Sequence, residues 1–196
     1  MQKRELVPGY KISPVIKGGW QLSAGHSLDK KIEDERAIAD TTSFIEAGIT
    51  TLDFGDIYTG VEELIGKSIA KLRETHGDSA RDLVQLHTKY VPNEKFLDNF
   101  DRSDVKTIVT RSLSRLGSDF VDIWQIHAWD DATPLDDTLS ALDYAYTTGR
   151  ARYVGISNYS GWQIARAATK QQSNSMKAPL TTVQNEYSLL NRDVEV

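Results

Sequence analysis

The chain of 196 residues contains no cysteine, and this absence excludes several kinds of chemistry at once. Without thiols there is no disulfide bond, no thiolate nucleophile and no zinc site built from cysteine ligands. The chain also has no apolar run of about 18 residues, the length that would span a membrane. Its N-terminus, MQKRELVPGYKISP, has no apolar core of the kind found in secretion signals. We therefore expect a cytoplasmic protein without a membrane partner.

The chain has no excess of positive charge either. Its 28 acidic and 23 basic side chains give a formal net charge of −5. Nucleic acids need a basic patch to hold them, so they are not an expected partner. Hydrophobic residues make up 39% and charged residues 26% of the chain, as is typical of a globular domain with a buried core. The composition thus favours a protein that acts on a small molecule.

Six short apolar runs alternate with amphipathic segments of helical period. The runs are rich in valine, isoleucine and aromatic residues and lie at 15–20, 50–54, 83–88, 120–127, 153–157 and 181–186. Such runs are typical of strands covered on both faces, as in parallel sheets. Strands that alternate with helices leave two α/β architectures open, a doubly wound sheet and a (β/α)8 barrel of the TIM type. The fingerprint G-x-G-x-x-G is absent after the first run, which counts against the usual doubly wound dinucleotide site.

Four polar side chains stand at or near the ends of successive predicted strands. Asp53 closes the second run and Tyr58 follows five residues later, whereas Lys89 closes the third run and His127 the fourth. In a barrel, the carboxyl ends of the strands converge on one mouth, where active sites lie. There a lysine held by an aspartate is expected to lower the pKa of the phenol from its usual value of about 10. An imidazole can relay a proton or align a carbonyl oxygen. The set predicts a device that protonates a carbonyl oxygen when hydride reaches the carbon.

Several motifs resemble those of the aldo-keto reductase family. They are L-D-F-G-D-I-Y-T-G-V-E-E-L-I-G at 52–66, T-K at 88–89, D-I-W-Q-I-H at 122–127, V-G-I-S-N at 154–158 and V-Q-N-E-Y-S-L-L-N-R at 183–192. The resemblance runs from Lys17 to the last residue. It implies a (β/α)8 barrel and an NAD(P)H-dependent oxidoreductase that reversibly reduces aldehydes or ketones to alcohols. NADP is the cofactor that the resemblance favours, and NAD is the alternative.

The resemblance also implies a role for each site residue. Tyr58 would be the general acid, Lys89 and Asp53 would tune it, and His127 would orient the substrate carbonyl. The residues implied to bind or border the cofactor are Gly19, Trp20, Asp53, Ser157, Asn158 and Gln184. The residues implied to contact the substrate are Trp20, Tyr58, His127 and Trp129. No metal is expected, because the remaining histidines, His26, His76 and His87, have no ligand-like spacing.

The chain departs from the family pattern in two places. Phe54-Gly55 follows Asp53 where the family usually has Thr-Ala, which removes no acid or base. The second departure is length, because complete barrels of this class have about 250 residues. We therefore expect one domain over residues 1–196, an incomplete barrel with strands 1–6 present and strands 7–8 missing. Three hypotheses follow: a shortened reductase, a catalytically inactive truncated product that serves as an interaction or accessory subunit, and a chain that self-associates through open sheet edges.

Overall fold

The chain begins with a small antiparallel hairpin that the sequence pattern did not predict. A computed structural model describes residues 2–23, 33–92 and 104–195. In it, β1 (Arg4–Val7) pairs with β2 (Tyr10–Ile12), and Gly9 takes the positive φ of +80° that the turn requires. The hydroxyl of Tyr10, which is buried, lies 2.8 Å from Nε2 of His87. The hairpin is thereby attached to the inside of the main sheet.

The main sheet is parallel and curls into a half-barrel. Its strands are β3 (Ile16–Gly18), β4 (Thr51–Asp53), β5 (Gln85–Tyr90), β6 (Val121–Ile126), β7 (Ala151–Ser157) and β8 (Leu180–Gln184). Each strand pairs in parallel with the strand that follows it in sequence. A doubly wound sheet would reverse its strand order partway across, and this sheet does not. The fold is therefore an incomplete (β/α)8 barrel, as the sequence predicted.

Helices follow the strands and cover the outside of the sheet. They are α1 (Asp34–Glu46), α2 (Val61–His76), the short α3 (Ala80–Leu83), α4 (Val105–Leu116), α5 (Leu135–Thr147) and α6 (Gly161–Ser173). Local sequence sets several of their ends. The backbone of Ser160 donates to the side chain of Gln163 at 2.8 Å at the start of α6, and α4 ends at Gly117, whose φ is +58°. No helix in the described ranges combines the length and the hydropathy that a bilayer crossing requires.

The core lies between the sheet and its outer helices. Every residue of β5 and β6 is buried, including the polar residues His87, Lys89 and Asp122. Helices α2 and α4 approach closely at Gly66, where an added Cβ would lie only 2.5 Å from the carbonyl oxygen of Arg115. β8 is less covered, and within the described residues its one neighbour in the sheet is β7. Self-association through this edge stays a prediction.

Candidate active site

An ion pair joins the second and third strands of the half-barrel at their carboxyl ends. Asp53 is the last residue of β4, and its Oδ1 lies 2.5 Å from Nζ of Lys89 on β5. The Lys89 side chain is 2% exposed, and its Nζ also donates to the carbonyl of Phe54 at 3.2 Å. Burial lowers the pKa of Lys89, while the charge of Asp53 and its hydrogen bond act in the opposite direction. The pair therefore holds a buried positive charge, balanced by Asp53, at the rim that the carboxyl ends of the strands form.

Tyr58 stands beside this pair, on the loop between β4 and α2. Its hydroxyl lies 3.3 Å from Nε2 of His127, and the two rings meet edge to face with centroids 5.5 Å apart. Burial, and secondly the negative charge of Asp53, raise the pKa of Tyr58 to about 12. The net shift is therefore opposite to the lowering that the sequence predicted, and burial rather than Lys89 dominates it. The phenol consequently keeps its proton at neutral pH.

His127 follows the end of β6 and faces Tyr58 as an uncharged ring. Burial, and secondly the positive charge of Lys89, lower its pKa to about 4, although Asp53 opposes the change. Its buried Nδ1 has no hydrogen-bond partner among the described residues, and its backbone N–H donates to the carbonyl of Tyr90 at 2.8 Å. The ion pair thus acts on two neighbours: Asp53 helps to keep Tyr58 protonated, and Lys89 helps to keep His127 neutral.

Three residues implied to bind the cofactor lie on the same rim. Ser157 ends β7 and is buried, and Asn158 follows it with a φ of +56°. The side-chain amide of Asn158 donates to the carbonyl of His127 at 2.8 Å. Gln184 ends β8, and its Nε2 donates to Oδ2 of Asp53 at 3.1 Å, across 131 residues of sequence. The curl of the sheet therefore brings the ends of β4 and β8 to one place.

The remaining predicted residues border this rim from two sides. Gly19 donates its backbone N–H to the carbonyl of Asp53 at 2.8 Å, and Trp20 begins a short 3-10 helix with 48% of its surface exposed. On the other side, Trp129 packs edge to face against Tyr159 and Trp162, with centroids 5.3 and 5.5 Å away. These placements put aromatic surface next to the polar rim. The binding roles of these residues stay predictions.

Sequence reasoning missed two buried polar groups near the site. His87 lies two residues before Lys89 on β5, on the same face of the strand. Burial lowers the pKa of His87 to about 4. Glu62 is the second residue of the helix after Tyr58 and is 1% exposed. In the sequence Glu62 is one of two adjacent glutamates on a predicted helix, and two such glutamates are ordinarily both exposed to solvent. No group of three or more metal-binding side chains occurs in the part of the chain that the structure describes.

The two buried histidines predict that the folded chain loses stability in mild acid. Their pKa values fall from 6.5 to about 4 on folding, so the unfolded chain binds protons more tightly between these values. Stability is fully present above pH 6.5 and declines as the pH falls toward 4. Urea unfolding followed by circular dichroism should show midpoints that decrease steadily over this window. Replacing the exposed His76 by Gln should leave the slope unchanged, whereas an unaltered slope in a His87→Gln variant would contradict the assignment of His87.

Comparisons with known proteins agree with this fold. A model of the aldo/keto reductase family matches residues 14–196. The aldo-keto reductase YhdN of Bacillus subtilis is 28% identical over 192 residues, which cover 95% of this chain and 54% of that protein. An aryl-alcohol dehydrogenase of Pestalotiopsis microspora is 27% identical over 201 residues, which cover 94% of this chain and 49% of that protein. The crystal structure of a thermostable aldo-keto reductase with the inhibitor epalrestat matches with a TM-score of 0.81 and 30% identity, over 100% of this chain and 66% of that one. The chain thus spans about half the length of the curated relatives it matches.

Proposed function

This chain belongs to the aldo/keto reductase family, and on that basis we propose that it serves the reversible reduction of an aldehyde or ketone to an alcohol. The proposed reductant is NADPH, with NADH as the alternative. One observation carries the proposal: the phenol of Tyr58 and the imidazole of His127 lie 3.3 Å apart, next to a buried lysine–aspartate pair. Such an arrangement is suited to giving a proton to a carbonyl oxygen.

The rim residues suit the nicotinamide end of the cofactor. Ser157, Asn158 and Gln184 offer a hydroxyl and two amides, which can donate to and accept from a carboxamide group. Trp20 offers half-exposed aromatic surface at the neighbouring strand end. When bound, the reduced nicotinamide supplies the hydride that adds to the carbonyl carbon. Asn158 bonds to the backbone carbonyl of His127 and Gln184 bonds to Asp53, so both amides lie on the rim beside the proposed reacting groups.

The protein's own residues supply the proton and hold the oxygen. In the proposed reaction Tyr58 donates its hydroxyl proton to the carbonyl oxygen as the new C–H bond forms at the carbon. The C=O π bond breaks, and its electron pair becomes the new O–H bond of the alcohol. His127 directs the oxygen through Nε2, and its neutral state avoids placing a second full positive charge beside Lys89. Tyr58 then recovers its proton from solvent, and oxidation of an alcohol runs through the same steps in reverse.

The test is a reduction assay on the purified chain. We expect consumption of NADPH, followed by its absorbance, with at least one member of a panel of aldehydes and ketones. Aromatic aldehydes belong in the panel because one relative is named an aryl-alcohol dehydrogenase and because Trp20, Trp129 and Trp162 border the rim. Cofactor binding is measured separately by quenching of tryptophan fluorescence. Binding without turnover on any substrate would contradict the proposal and favour the non-catalytic accessory role.

A further inference from the structure

Glu62 is a buried carboxyl group that the proposed reaction does not use. It is the second residue of α2, four positions after Tyr58, and 1% of it is exposed. A buried carboxylate is costly unless it is hydrogen-bonded and its charge is compensated. The contacts that satisfy it therefore indicate what its position serves.

Both oxygens of Glu62 are engaged, by two different elements. The hydroxyl of Thr88 on β5 donates to Oε1 at 2.9 Å, and Nη1 of Arg115 on α4 donates to Oε2 at 3.2 Å. Thr88 is fully buried and directly precedes Lys89. Glu62 thus connects the start of α2 to the position on β5 that neighbours the ion-paired lysine.

The loop that carries Tyr58 is also attached to β5 on the side of Tyr58 opposite Glu62. The backbone N–H of Asp56 donates to the carbonyl of Lys89 at 2.9 Å, and the backbone N–H of Val61 donates to the carbonyl of Tyr58 at 3.0 Å. The Asp56 bond thus attaches the loop to β5 before Tyr58, and the bond between Thr88 and Glu62 attaches the chain to β5 after Tyr58. The side-chain bond from Thr88 to Glu62 is the member of this set that depends on residue type.

We propose that Glu62 is a positioning residue, which through Thr88 holds the Tyr58 loop against the strand that carries Lys89. The inference rests on the proposed function and deepens it. Proton transfer depends strongly on geometry, and a displacement of about 1 Å can reduce a rate by about 100-fold. A bond that fixes the loop relative to β5 therefore affects the rate of the chemical step more than the binding of cofactor, which involves the ends of β3, β7 and β8.

The neighbouring glutamate provides a matched control. Glu63 also contacts Arg115, with Nε and Oε1 3.0 Å apart, but its side chain is 45% exposed. A Glu63→Gln variant therefore changes the same helix, the same arginine and the same charge without touching Thr88. Replacing Thr88 by Val removes the hydroxyl but keeps the β-branched shape, and Thr88→Ser restores a hydroxyl.

The experiment compares four variants by steady-state kinetics and by NMR of the His127 ring. We expect Glu62→Met, which removes both side-chain oxygens, and Thr88→Val to lower kcat about tenfold at nearly unchanged KM for cofactor, because the loop loses one attachment to β5. Thr88→Ser and Glu63→Gln should stay within about twofold of wild type, because each keeps the bond to β5. The ring signal of His127 should move in Thr88→Val toward its position in a Tyr58→Phe variant, because the phenol is displaced. Circular dichroism establishes that each variant is folded at the assay temperature.

The outcomes separate this inference from the proposed function. If the His127 signal and kcat are unchanged in Thr88→Val, Glu62 has no positioning role, whatever Tyr58 does. If kcat falls but Thr88→Ser does not restore it, the effect is a general loss of structure and the inference is wrong. If wild-type protein reduces no carbonyl, the proposed function fails, and the NMR comparison alone decides whether Glu62 positions Tyr58.

Discussion

A Tyr58→Phe variant is expected to lose nearly all carbonyl reduction. The substitution removes the hydroxyl that donates the proton, and general acid catalysis by a positioned side chain contributes about 100- to 10,000-fold. The ring remains, so packing against His127 is retained and cofactor binding should stay close to that of wild type. Single-turnover reduction with excess NADPH measures the chemical step, and tryptophan quenching measures binding.

A second tyrosine controls for the chemical change itself. Tyr146 lies on α5, on the outer layer of the barrel, and Tyr146→Phe should reduce carbonyls at the wild-type rate. The pH dependence gives a further check, because the pKa of Tyr58 is raised to about 12 and its acid form is the donor. Reduction should therefore retain its proton donor throughout the neutral and mildly alkaline range. A Tyr58→Phe variant that keeps most of the rate would show that another group protonates the oxygen.

The largest effect on stability is expected at Asp122, near the opposite end of β6 from the site. Its side chain is 2% exposed and accepts from Nη2 of Arg81 at 2.8 Å, from the backbone N–H of Leu86 at 2.9 Å and from Nη1 of Arg152 at 3.2 Å. Asp122→Ala leaves the largely buried Arg81 without its counter-charge. Removing one partner of a buried ion pair destabilises a protein by about 3–5 kcal/mol. Urea unfolding at neutral pH measures the change.

Arg152 is the matched control for Asp122. It contacts the same carboxylate, but its side chain is 51% exposed, and exposed ion pairs contribute about 1 kcal/mol or less. Arg152→Ala should therefore destabilise the chain much less than Asp122→Ala. Equal losses in the two variants would show that the buried pair with Arg81 is not the source of the effect.

The strands of the main sheet could be predicted because buried strands are rich in apolar residues. β6 is buried along its whole length, and four of its six residues are apolar. Other elements have no such sequence pattern. The residues of β1 are mostly exposed, so nothing in their pattern distinguishes them from a loop. The polar stretch 171–175 has the composition of a loop, yet α6 continues through Ser173. Gln171 explains the difference, because its side chain is buried and bonds to the backbone of Ala178 and Leu180.

The residues of the site could be predicted from the sequence, but the direction in which their pKa values shift could not. Strand ends and spacing place Asp53, Lys89 and His127 on one rim, and the structure brings them together with Tyr58 there. Whether Lys89 lowers or fails to lower the pKa of Tyr58 depends on burial and on which group the ammonium contacts. Those quantities depend on distances of a few ångströms that no spacing encodes. For the same reason, the sequence could not distinguish buried Glu62 from exposed Glu63.

The strand order has a consequence for how the chain is made. Every strand of the main sheet after β3 pairs with the strand synthesised just before it, so each βα unit can dock on a finished neighbour as it leaves the ribosome. The hydrogen bond between Gln184 and Asp53 is different, since it waits for 131 more residues after Asp53 has been translated. Tyr58 and Lys89 are therefore translated early, whereas Asp53 gains its hydrogen bond from Gln184 only after β8 has emerged.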